Sequence, residues 1–73
     1  MDKLNKILSK ILNVSIEKTE ENLTMDDVDY WDSLTHMNLI VSIEEELDIE
    51  LSGDDIAEMT TFNSIKAIVA KYL

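Results

Sequence analysis

Ser33 lies in the stretch Tyr30–Ile40, YWDSLTHMNLI, where an amphipathic helix begins. A hydroxyl at a helix start has two uses. It can accept a bond from one of the free amides of the first turn, which is capping. It can also bear a phosphate ester, because those amides and the positive end of the helix dipole stabilise the added charge. Asp32 can cap in place of the serine and leave the hydroxyl available. Spacing alone leaves both readings open.

The other chemistry-bearing residues form no self-contained active site. His36 is the only histidine and there is no cysteine, so neither a zinc set nor a nucleophile–base pair is complete. His36 reads as a surface or partly packed side chain. Asp48, Glu50, Ser52 and Gly53 follow the first, third, fifth and sixth positions of a calcium-binding hand. The match fails where Ile56 and Met59 fall on the ninth and twelfth positions, so no metal is expected.

Positioning these residues falls to helices. Leu4, Ile7, Leu8, Ile11 and Leu12 recur at helical spacing and predict a helix over 2–12. Leu34, Met37, Ile40, Val41, Ile43 and Leu47 predict a second over 33–47. A short one over about 54–58, capped by Ser52 with Asp55 completing a capping box, puts Ile56 and Met59 on the core. Thr61 caps the last, whose apolar face is Phe62, Ile65, Ile68, Val69 and Tyr72. The polar segment between the first two helices has neither glycine nor proline, so it reads as an ordered loop anchored by Leu23, Met25, Val28 and Trp31. No run of strict alternation supports a strand. The expectation is an all-α bundle of three to four helices in one domain, 1–73.

Composition narrows the function. Sixteen acidic residues against six lysines give a net charge of −10, which repels nucleic acid and anionic lipid and attracts basic proteins. A hydrophobic content of 45% is too high for a disordered acidic tail. The chain has 73 residues, which bury only about 60% of their unfolded surface, so carrying or binding is expected rather than catalysis. With no disulfide, no leader and no membrane-spanning segment read from the sequence, a monomeric cytoplasmic protein is expected.

Asp32-Ser33-Leu34, with a long loop before it, LIVSIEEELDIEL after it and MTTF turning into the last helix, resembles the acyl carrier proteins over essentially the whole chain. The resemblance implies that Ser33 carries a 4'-phosphopantetheine arm, attached by a phosphopantetheinyl transferase using coenzyme A and magnesium. It implies that Asp32 helps the transferase engage the site and that Leu34 docks at its edge. It further implies that Glu44, Glu45 and Glu46 meet basic surfaces of partner enzymes, and that Met37, Val41, Ile56 and Met59 line a space for an acyl chain. Two features depart from the fatty-acid carriers. Thr35 and Asn38 stand where acidic residues are usual, and Tyr30 and Trp31 replace a glycine and a small residue. They look more like discrete carriers of specialised lipid, glycan or secondary-metabolite pathways. Aminoacyl carriers such as D-alanyl carriers, and an acidic adaptor that never receives an arm, are the alternatives.

Overall fold

The computed structural model describes residues 2–73. Four α-helices follow one another: α1 (Asp2–Leu12), α2 (Ser33–Leu47), α3 (Gly53–Glu58) and α4 (Phe62–Tyr72). No strand is present among the described residues. The helices begin and end where the hydrophobic spacing and caps place them, α3 starting one residue earlier than expected. Asp2 in the first turn of α1 and Lys10 in its last suit the helix dipole.

Both α1 and α2 end on a residue in the left-handed conformation, Asn13 at φ 56° and Asp48 at φ 54°. The following amides, of Val14 and Ile49, reach back five residues to the carbonyls of Ser9 and Glu44 at 3.2 Å. These closures stop each helix without glycine. At α3 only one half of the expected box forms as read. Ser52 Oγ accepts from the Asp55 amide at 3.1 Å, while the Asp55 carboxylate is taken by Tyr72 and Lys71 of α4. Tyr72 accordingly lies at the edge of the bundle, partly exposed, rather than on the buried face.

Leu4, Leu8 and Leu12 of α1, Leu39, Ile40 and Ile43 of α2, Met59, and Phe62, Ile65 and Val69 of α4 close into one core. The pattern read along α2 merged two faces. Leu39, Ile40 and Ile43 turn inward, whereas Leu34, Met37 and Val41 stay outside. A helix apolar on more than one side cannot bury every apolar residue against neighbours that cover only part of its circumference.

The long connection between α1 and α2 is ordered, as its composition predicts, and contains a 3-10 helix over Ile16–Glu20 that the spacing did not reveal. Thr19, fully buried, bonds the Ile16 carbonyl, and Lys66 of α4 donates to the Thr19 carbonyl. Further along, Thr24 bridges to Thr61, the Phe62 amide donates to the Leu23 carbonyl at 2.9 Å, and the Asn63 amide to Asn22 Oδ1 at 3.0 Å. Each such bond contributes about 1 kcal/mol net. Burying a side chain like Phe62 contributes about 1.5–3 kcal/mol. Packing therefore holds the loop, and the bonds fix its register.

Candidate functional site

Ser33 is the first residue of α2 and is exposed. Its hydroxyl is not the cap. Asp32, in extended conformation, accepts from the Thr35 amide through Oδ1 at 2.8 Å, and its carbonyl accepts from the His36 amide at 2.8 Å. The Thr35 amide, followed by the Thr35 hydroxyl, holds the Asp32 carboxyl below the usual carboxylate range. The first turn of α2 contains no acidic residue, so the positive end of the helix dipole beside Ser33 is met by the carboxylate of the capping Asp32 and by none within the turn itself. An exposed hydroxyl at the positive end of a helix dipole fits a phosphodiester.

The chain is delivered to this point by Trp31, which is 3% exposed. Its amide bonds the Val28 carbonyl at 3.0 Å, and its indole lies 5.6 Å from the Phe62 ring and 6.0 Å from the His36 ring. The indole Nε1–H donates to His36 Nδ1 at 3.0 Å. An indole nitrogen only donates, so Nδ1 is the acceptor and the His36 proton sits on Nε2, which donates to the Ile56 carbonyl at 3.1 Å. His36 thus ties the loop, α2 and α3 together. The sequence reading left it without a role; a tryptophan five residues upstream, in need of an acceptor once buried, was the available signal.

Leu34, 74% exposed, adjoins Ser33 and begins an outward stripe with Met37 (51%) and Val41 (47%). The three glutamates near the end of α2 separate. Glu44 is half-buried and its Oε2 accepts from the Leu51 amide at 2.9 Å, locking the connection to α3. Glu45 is exposed and makes no such bond; with Val41, Glu44 and Asp48 it borders a shallow groove on the outer edge. Glu46 faces α1, sharing a groove with Lys3, Lys6 and Lys10. The four residues read as an acyl-lining set differ in exposure. Met59 is fully buried and Ile56 half-buried, whereas Met37 and Val41 are on the outside.

Beside Ser33, between α1, the loop and α2, lies an open groove of about 530 Å³ lined by Lys10, Ile11, Asp29, Tyr30, Asp32, Thr35 and Asn38. Among the described residues no three histidine or carboxylate side chains converge as a metal ion would require. Nor is any helix among the described residues long and apolar enough to cross a membrane.

Comparison with known proteins places this geometry in context. A family model described as a phosphopantetheine attachment site matches residues 2–70. An acyl carrier protein of Buchnera aphidicola subsp. Schizaphis graminum (strain Sg) is 46% identical over 59 residues, covering 81% of this chain and 75% of that protein. One from Buchnera aphidicola subsp. Baizongia pistaciae (strain Bp) is 35% identical over 72 residues, covering 97% and 91%. One from Karelsulcia muelleri (strain GWSS) is 37% identical, covering 96% and 93%.

Proposed function

Because this chain belongs to the acyl carrier protein family, whose prosthetic group is 4'-phosphopantetheine, we propose that Ser33 is the residue esterified by that group. The observation that carries the assignment is the division of labour at the start of α2: Asp32 caps the helix and the Ser33 hydroxyl is left exposed. When bound, the group supplies the thiol a cysteine-free chain lacks, and with it a thioester to an acyl cargo. The chain's own contribution is not catalysis. It presents the serine, orients it through Trp31 and Asp32, and offers surfaces that enzymes recognise.

The recognition surface is the outward edge of α2. Leu34, Met37 and Val41 form an apolar stripe at helical spacing, with Glu45 and Asp48 continuing it as an acidic end. A partner that fits has an apolar groove flanked by lysine or arginine. Exposed charges at such a rim accelerate and select encounters without making them long-lived, which suits a carrier that must be released. Thr35 and Asn38, neutral where fatty-acid carriers are acidic, support service in a specialised lipid, glycan or secondary-metabolite pathway.

The test is intact-protein mass after incubation with coenzyme A, magnesium and a broad-specificity phosphopantetheinyl transferase. The expected result is a gain of one phosphopantetheine in the wild type and none in Ser33→Ala. No gain in the folded wild type across several transferases would overturn the assignment.

A further inference from the structure

Two seams flank the start of α2, and they differ in character. Toward α1 and the loop is the open groove, whose walls set the polar side chains of Lys10, Asp29, Asp32, Thr35 and Asn38 beside the apolar surface of Ile11 and Tyr30. Toward α3 the way is crossed by the bonded series from the Trp31 indole through His36 to the Ile56 carbonyl. Behind that crossing Leu39, Ile40, Met59 and Phe62 are packed with essentially no exposure. An alkyl chain entering there must part His36 from Ile56 or Trp31. Parting His36 from Trp31 leaves the buried indole N–H without an acceptor, parting it from Ile56 leaves the Ile56 carbonyl without its donor, and either way the chain overfills a packed core.

We infer that the Trp31–His36–Ile56 strap bars cargo from the seam between α2 and α3, and that this carrier therefore serves short or polar acyl groups, which lie outside the core over the open groove beside Ser33. The inference rests on Ser33 being the carrier serine. A long alkyl chain held over so open a groove leaves much of its length in water, an unfavourable state for apolar surface. An acyl group bearing a hydroxyl or amide instead finds donors and acceptors in Thr35, Asn38, Lys10 and Asp29.

Acetyl, hydroxybutyryl, hexanoyl and decanoyl arms loaded from their coenzyme A thioesters test this, with intact mass confirming each loading before NMR spectra are recorded. In the wild type, the Trp31 indole N–H and the methyl signals of Ile40 and Met59 should stay in place for every cargo, while hydroxybutyryl shifts the Thr35 and Asn38 amides. Core shifts that grow with chain length in the wild type would overturn the inference. His36→Leu removes both bonds of the strap, and its core methyls should respond to decanoyl cargo. An unresponsive core in the folded variant would overturn the role given to His36, and the wild-type series decides the cargo class even if that variant does not fold. Absence of any mass gain would instead overturn the assignment of Ser33, and this inference with it.

Discussion

The Tyr72 hydroxyl donates to the Asp55 carboxylate, fastening the last turn of α4 to the first turn of α3. Lys71 Nζ adds a bond to Asp55 Oδ1 at 3.2 Å. The tyrosine hydroxyl chiefly, with Lys71 assisting against the opposing effect of burial, lowers the Asp55 carboxyl from its ordinary value. Asp32 is lowered by its cap bond.

Both carboxyls ionise below the value of about 3.9 they have in an unfolded chain, so the stability they confer is whole above that pH and drains away as pH falls through the lower folded-state values. Urea midpoints should be level from neutrality to about pH 5 and fall below about pH 4. Asp55→Asn and Tyr72→Phe should each be less stable at neutral pH and show a shallower acid limb. An acid limb of unchanged steepness in both would remove Asp55 from the explanation.

At the start of α2, substitutions should separate folding from attachment. Asp32→Ala removes the acceptor for the Thr35 amide and should lower Tm by several degrees, whereas Asp32→Asn, whose Oδ1 can accept the same bond, should keep most of the stability. Ser33→Ala should change stability by less than about 0.5 kcal/mol, because the hydroxyl makes no cap bond. Thermal melts by circular dichroism read both, and a large drop for Ser33→Ala would return the serine to the capping role.

Adjacent glutamates on α2 should give opposite phenotypes. Glu45→Lys alters an exposed edge charge, so stability should hold while the association rate with a basic partner such as a transferase falls several-fold at low salt and recovers less than that at high salt. Glu44→Ala frees the Leu51 amide and should cost about 1–2 kcal/mol in denaturant melts. Stopped-flow binding and urea titration distinguish them, and equal behaviour of the two variants would refute the division.

Asp48 occupies the left-handed position that ends α2. Asp48→Gly removes the steric cost of a side chain there and should stabilise by up to about 1 kcal/mol, whereas Asp48→Val should destabilise by about 1–2 kcal/mol. Loss of stability in the glycine variant would mean that the aspartate side chain contributes more than its conformation costs.

Much of this molecule was legible in the chain because its signals are local. The helical recurrence in α1, the cap Thr61 before Phe62 and the absence of glycine and proline in the long loop each depend on neighbours a few residues away. The same holds for Asp32 as the alternative cap to Ser33. What sequence reading placed wrongly depends on which side of a helix has a neighbour. Val41 and Ile40 are adjacent and equally apolar, yet one is exposed and the other buried.

Sequence by itself therefore determined the class of fold, the ends of the helices and the serine at the head of α2, since propensity, capping and periodicity act within a turn or two of chain. Tertiary structure alone decided that His36 joins Trp31 to Ile56, that Glu44 bonds the Leu51 amide while Glu46 turns to the lysines of α1, and that Asp55 belongs to Tyr72. Those outcomes are set by the angles at which the helices cross and by residues as far apart in the chain as His36 from Ile56 or Glu46 from Lys3, and no local rule carries that information.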